Sequence, residues 1–165
     1  MVTLKRILVA TDFGDAAGVA FAYGRDLART FGASLDVLHV ADNVLARGSA
    51  GEGYMASYPD LQRDVEEAAA RRLDALVCDE DRAVLKARTI IRVSTSPWLA
   101  IVDYAREAHA DLIIMGTHGR GAMAHLLMGS VAERVVRTAP CPVLTVRHPE
   151  HEFVVPDALV AVAKT

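Results

Sequence analysis

The chain has 165 residues, of which 52% are hydrophobic and 24% are charged. That length suits one domain, and the apolar content supports a buried core, which excludes a disordered chain. With 18 Lys and Arg residues against 21 Asp and Glu residues, the net charge is −3, so the chain lacks the basic field that holds nucleic acid. No segment resembles a signal peptide or a membrane helix; we expect a soluble, cytoplasmic protein with neither nucleic acid nor a membrane as partner.

The first half of the chain alternates strand and helix patterns. The run Leu4–Ala10, apolar apart from Lys5 and Arg6, predicts a strand that is buried on both faces. Apolar residues then recur at helical spacing from Asp15 until Gly32, where a helix stop belongs. A second strand is predicted over Ser34–Ala41. The segment Asp42–Asp60, with three glycines and a proline, shows no periodicity and is interpreted as a long loop, either a loose connection or a functional loop.

The second half continues the alternation. A helix is predicted over Leu61–Leu76, and a third strand, rich in β-branched residues, over Ala87–Val93. Ser96 and Pro97 form the N-cap and first-turn pair of a third helix, from which Trp98 is expected to cover the sheet. The remaining predicted elements are a strand over Leu112–Met115, a helix over Ser130–Thr138 and a strand over Pro142–Arg147.

This order of elements predicts one doubly wound α/β domain, a five-stranded parallel sheet with helices on both faces. The strand order 3-2-1-4-5 is taken from that fold class. We expect the domain to span residues 1–147 and a C-terminal tail, without an assigned structure, to span residues 148–165. The cysteines, Cys78 and Cys141, show no pairing or metal-ligand spacing and are expected to be free thiols.

A glycine-rich segment from Gly116 to Ser130 joins the fourth strand to the last helix. Gly116 and Gly119 lack side chains that would keep an anion from the backbone, and Gly129 and Ser130 could offer N–H groups and a hydroxyl to phosphates. The alternative is turn chemistry that needs positive φ. Arg120 could neutralise phosphate charge or be a solvated cation, and His109, His118 and His125, which match no ligand motif, are interpreted as surface residues.

A second candidate loop follows the first strand. If strands one and four are neighbours, the loops Ala10–Asp12 and Gly116–Gly119, which includes Thr117, open at one edge of the sheet, where α/β proteins bind ligands. The Asp12 carboxylate could then accept a hydrogen bond from a ribose hydroxyl or an adenine edge, cap the first helix, or do both. Neither a Walker A loop nor a dinucleotide-binding glycine pattern is present.

Several segments resemble the ATP-binding branch of the universal stress protein family. They are Ile7–Phe13, Ala110–Arg120, Gly129–Val131 and Ala139–Val146, and they contain the spacing Gly-x2-Gly-x9-Gly-Ser. The resemblance implies a stress-linked regulatory protein that binds ATP with Mg²⁺ or Mn²⁺ on the phosphates, is at most a slow ATPase or autophosphorylating protein, and forms a homodimer through its last strand. Ala10 and Gly14 depart from the pattern, since relatives often have proline and serine there.

The resemblance also implies a set of ligand contacts. Thr11 and Asp12 would lie near the nucleoside, Val40 against adenine, and Met115 and Gly116 at the floor of the site. The phosphates would be surrounded by Gly119, Arg120, Gly129, Ser130 and Val131. An alternative function is a nucleotide-independent dimeric module that recruits partners through its edge strand and tail. A phospho-receiver fits poorly, because the third strand ends in Val93-Ser-Thr instead of an acceptor aspartate.

Overall fold

The structure is a computed structural model that describes residues 1–47, 60–117 and 128–149. Its five strands are β1 (Arg6–Ala10), β2 (Ser34–Ala41), β3 (Arg88–Val93), β4 (Leu112–Gly116) and β5 (Val143–Val146). They form one sheet in the order β3-β2-β1-β4-β5, and every neighbouring pair is parallel. The predicted fold class and strand order are therefore confirmed.

Six helices are described. They are α1 (Asp15–Phe31), α2 (Val44–Arg47), α3 (Leu61–Leu76), α4 (Asp79–Val84), α5 (Pro97–Glu107) and α6 (Ser130–Thr138). The predicted helix stop is confirmed, because Gly32 adopts φ 63° and its N–H reaches the carbonyls of Ala28 and Arg29. Ser96 and Pro97 begin α5 as predicted, although the Ser96 hydroxyl makes no capping bond. No helix in the described ranges is long and apolar enough to cross a membrane.

Two short helices correct the prediction. The start of the predicted loop over Asp42–Asp60 folds into α2, where Asn43 Oδ1 accepts a bond from the Ala46 N–H and Gln62 Oε1 accepts one from the Val44 N–H. The contact with Gln62 comes from α3, so local periodicity could not reveal it. Helix α4 was missed because it is short; its signal was the acidic run from Asp79 to Asp81, which suits a first helical turn.

The sheet is covered on both faces, as alternation along each strand requires. Ile7 and Val9 of β1 point to a core beneath α1 and α3, and Leu8 and Ala10 to a core beneath α5 and α6. Trp98 packs against the second core, as predicted.

Both cysteines are free, as expected. Cys78 is exposed, whereas Cys141 is half-buried, and this burial raises the pKa of its thiol.

A carboxylate lies fully buried on the face of the sheet that α5 covers. Asp36 of β2 is 0% exposed and forms a bidentate pair with Arg88, with both N···O distances 2.8 Å. The Tyr104 hydroxyl donates to Asp36 Oδ2 at 3.0 Å, and Arg6 Nε lies 3.9 Å from the same oxygen. The hydrogen bond to Asp36 is the main reason why the pKa of Arg88 is raised. This network ties β2, β3 and α5 together.

Tyr104 should ionise unusually late in an alkaline titration. Burial and, next, the neighbouring Asp36 carboxylate raise its pKa from 10.0 to about 12. Because the folded state favours the neutral phenol, the stability that this shift contributes is present below pH 10 and is lost as the pH rises towards 12. In an ultraviolet titration of tyrosinate, Tyr104→Phe should remove the last step; loss of a step near pH 10 would contradict this contact.

Candidate functional site

The two predicted loops leave the sheet side by side. Ala10, the last residue of β1, is paired with Met115 of β4, so Thr11 and Gly116 continue from adjacent positions at the carboxyl edge. We call the residues Thr11–Asp12, Gly116–Thr117 and Gly129–Ser130 the β1/β4 edge. The strand order also changes direction here, since β2 lies on one side of β1 and β4 on the other. This is where ligands of doubly wound sheets lie.

The turn after β1 is held by its own polar groups. Thr11 N–H donates to the Leu38 carbonyl of β2 at 2.9 Å, and Thr11 Oγ1 accepts a bond from the Phe13 N–H at 3.0 Å. Asp12 Oδ1 accepts a bond from the Gly14 N–H at 2.9 Å. The N-cap residue of α1 is Gly14, and no side chain makes a capping hydrogen bond there. Asp12 therefore stabilises the turn before the helix without being its cap residue.

The structure gives a local reason for glycine at position 14, where universal stress proteins often have serine. A Cβ at Gly14 would lie only 3.1 Å from Asp12 Oδ1. The missing side chain therefore lets the Asp12 carboxylate fold onto the Gly14 amide, which a serine at this position would crowd.

The two ends of the glycine segment meet. Thr117 N–H donates to the Val146 carbonyl of β5 at 2.7 Å, and Gly129 N–H donates to the Thr117 carbonyl at 2.7 Å. Thr117 and Gly129 are thus joined directly beside β4. The predicted phosphate contacts Gly119 and Arg120, together with His118 and His125, lie outside the described residues.

Helix α6 starts directly from this junction. Its N-cap is Gly129, with φ −72° and ψ 154° and no side-chain cap, and Ser130 is exposed at its first position. The first-turn amides of an α-helix lack intrahelical acceptors and carry the positive end of the helix dipole. The start of α6 is therefore suited to an anion, and the Ser130 hydroxyl lies where it can add a donor.

Positive φ does not explain the glycines at the β1/β4 edge, since among the described glycines only Gly32 has a positive φ. Gly116 instead has a packing reason: a Cβ there would lie 2.9 Å from Ala16 Cβ and 3.1 Å from the Ala16 carbonyl carbon. The missing side chain lets the first turn of α1 lie against β4. This packing brings the start of α1 close to the β1/β4 edge.

An apolar wall borders the edge on the α5/α6 face. Ala10, Val40 and Met115 contact one hydrophobic cluster there, and Met128 and Val131 pack against the same cluster. Val40, the predicted adenine contact, therefore shares a face with two other predicted site residues. The half-buried side chain of Val131 belongs to this apolar wall, which leaves its backbone N–H as the group suited to a phosphate.

Sequence reasoning missed a group of side chains on the other face. His39 of β2 contacts the Thr11 carbonyl and the Phe13 ring, and the Arg72 guanidinium of α3 lies 4.1 Å from the centre of that ring. The one available signal was a polar residue, His39, within the otherwise apolar end of a buried strand. His109, by contrast, is exposed just before β4, at the opposite edge of the sheet.

No group of three His, Cys, Asp or Glu side chains within residues 1–47, 60–117 and 128–149 is placed to hold a metal ion.

The family and fold comparisons agree with this architecture. The universal stress protein family model matches residues 3–147. A universal stress protein of Thermus aquaticus is 38% identical over 147 residues, covering 87% of this chain and 98% of its own. One from Methanocaldococcus jannaschii is 32% identical over 148 residues, covering 90% and 85%. The solved structure of UspA from Lactobacillus plantarum matches with a TM-score of 0.71 at 25% identity, covering 89% of this chain and 100% of that one.

Proposed function

This chain belongs to the universal stress protein family, and we propose that it is a stress-response regulatory protein that binds ATP at the β1/β4 edge. The observation that carries the proposal is the junction of the Thr11–Asp12 turn, the Gly116–Thr117 strand end and the start of α6 at one edge. It combines a carboxylate, an uncapped helix start and an apolar wall. Those are the three surfaces that a nucleoside triphosphate needs.

Each part of the ligand has a proposed contact. Adenine lies against Val40 and the neighbouring apolar wall, and the nucleoside lies near Thr11 and the Asp12 carboxylate. The phosphates bind the amides of Gly129, Ser130 and Val131 and the Ser130 hydroxyl, with Gly119 and Arg120 completing their surroundings. Mg²⁺ or Mn²⁺ is carried on the phosphate oxygens.

Universal stress proteins of the same fold have been solved in complex with cAMP and, from Archaeoglobus fulgidus, with dAMP. They are 21% and 22% identical to this chain, a likeness that extends to the fold alone. Support for nucleotide binding therefore comes from this chain's own residues.

Calorimetric titration of ATP with Mg²⁺ into the wild type, Asp12→Asn and Ser130→Ala tests the proposal. Asp12→Asn retains the acceptor for the Gly14 amide but removes the charge, and Ser130→Ala removes one phosphate donor. Each should weaken ATP binding about 10-fold, the equivalent of one charge-assisted hydrogen bond.

Two control variants lie at the opposite edge. Asp111, whose Oδ2 accepts bonds from the Lys5 and Arg6 amides, matches Asp12, and Ser34 matches Ser130. Asp111→Asn and Ser34→Ala should bind ATP as the wild type does. Absence of ATP binding by the wild type, or equal affinity in all five proteins, would overturn the proposal.

A homodimer formed through β5 is also proposed, on the contrast between the two edge strands. β3 carries Arg88 and Arg92, charges that discourage pairing with another chain, whereas β5 reads Val-Leu-Thr-Val without a charge. Light scattering should give the mass of a dimer for the wild type, and Leu144→Lys should shift it towards the monomer. The control Thr89→Lys on β3 should remain a dimer, and a monomeric wild type would refute the pairing.

A further inference from the structure

The turn that carries Asp12 is braced from the neighbouring strand. His39 lies at the carboxyl end of β2, and its Nδ1 is 2.8 Å from the Thr11 carbonyl oxygen. Because a carbonyl oxygen can only accept, Nδ1 carries the hydrogen and His39 donates. This bond and the Thr11–Leu38 backbone bond at 2.9 Å attach both polar groups of the Thr11 backbone to β2.

Phe13 is held in a backbone conformation that aromatic residues rarely adopt. Its φ is 64°, in the left-handed region, which is unfavourable for a residue with a bulky side chain. Its ring lies 4.5 Å from the His39 ring, with an angle of 38° between the planes, and 4.1 Å from the Arg72 guanidinium carbon. These two contacts stabilise the turn and so oppose that strain.

The reversal at Phe13 sets the position of Asp12. It brings the Gly14 amide back to Asp12 Oδ1, at 2.9 Å, and so orients the carboxylate. A residue that stabilises this turn therefore acts on the nucleoside end of the proposed site, whereas the start of α6 is held separately, through Thr117.

We propose that His39 is a positioning residue of the nucleotide site, which fixes the Thr11–Asp12 turn through its Nδ1–H bond to the Thr11 carbonyl. The inference rests on the proposed function. A preformed turn saves the entropy of ordering it on binding, so losing the brace weakens nucleoside recognition. Phosphate recognition at α6 stays unchanged, and that difference separates positioning from general destabilisation.

Two isosteric replacements test the geometry of the bond. The amide nitrogen of asparagine can occupy the position of Nδ1, whereas that of glutamine extends towards the position of Nε2. With Mg-ATP as the probe, His39→Asn should bind within about 2-fold of the wild type, and His39→Gln and His39→Leu should bind about 5- to 10-fold more weakly, as loss of one hydrogen bond implies. The control His109→Gln, at the opposite edge, should bind like the wild type.

The second readout separates the two ends of the ligand. Inorganic tripolyphosphate, measured by its competition with Mg-ATP, should bind the wild type and all His39 variants equally, whereas adenosine should weaken in parallel with ATP. Equal ATP affinity in His39→Gln and the wild type, failure of asparagine to rescue, or parallel loss of ATP and tripolyphosphate affinity would overturn the inference while leaving ATP binding by the wild type intact. A wild type that binds no ATP would instead refute the proposed function itself. If His39→Leu does not fold, the comparison of Asn with Gln decides the question alone.

Discussion

Replacing Arg88 with methionine is expected to lower the free energy of unfolding by about 1–3 kcal/mol, because the buried Asp36 carboxylate loses two hydrogen bonds, although the Arg88 side chain itself is 54% exposed. Asp36 is 0% exposed and receives two of its hydrogen bonds from Arg88. Without Arg88, the carboxylate keeps the Tyr104 hydroxyl at 3.0 Å and Arg6 Nε at 3.9 Å. Urea denaturation of the wild type and the variant measures the loss.

A double variant reveals whether the loss comes from the orphaned charge. Arg88→Met combined with Asp36→Leu removes both charges and should recover most of the stability, because apolar residues of similar size often replace buried pairs at little cost. The pair of Arg82 with Asp74 has the same N···O distance of 2.8 Å, but the Asp74 side chain is 64% exposed whereas that of Asp36 is 0% exposed, and this pair provides the control. Arg82→Met should cost no more than about 1 kcal/mol. A loss at Arg88 as small as that at Arg82 would contradict the buried-charge argument.

The architecture could be predicted from the sequence because each long element has one periodicity along its whole length. The bounds of β2, α3 and α6 agree with the predicted ranges, and β1, β3 and β5 differ only at their ends. The predicted first strand, for example, begins at Leu4, two residues before the first ladder pair of β1, Arg6 with Ser34. Short helices escaped prediction, since α2 depends on a side chain of α3 and α4 on three acidic residues in one turn.

The sequence predicted which loops lie at the site, because it predicted which strand each loop follows and how the strands are ordered. Adjacent positions for Thr11 and Gly116 follow from the strand order, and the meeting of Gly129 with Thr117 is consistent with the glycine spacing. The reasons for individual residues did not follow. Gly116 was expected to admit an anion, yet the described contact is with Ala16 of α1. The bond between His39 and Thr11 joins residues 28 positions apart, so no local sequence pattern predicts it.

Gly116→Ala should therefore destabilise the fold, by about 1–3 kcal/mol, as overpacking at a close contact does. The new Cβ would meet Ala16 Cβ at 2.9 Å, the Ala16 carbonyl carbon at 3.1 Å and the Ala17 nitrogen at 3.2 Å. Two of these are backbone atoms, so relief requires the first turn of α1 to move away from β4. That movement pulls on Gly14 and on the Asp12 carboxylate bonded to it.

Gly18→Ala is the matched control, in the helix α1 that Gly116 contacts. Nothing lies within 4 Å of a Cβ at Gly18, and the position is helical, so alanine should raise the free energy of unfolding by about 0.5–1 kcal/mol. Both variants change the unfolded chain in the same way, and the opposite signs in urea denaturation isolate the native contact. If Gly116→Ala were instead stabilising, α1 could not lie as close to β4 as the structure has it. The glycine would then be available to explain an anion site directly.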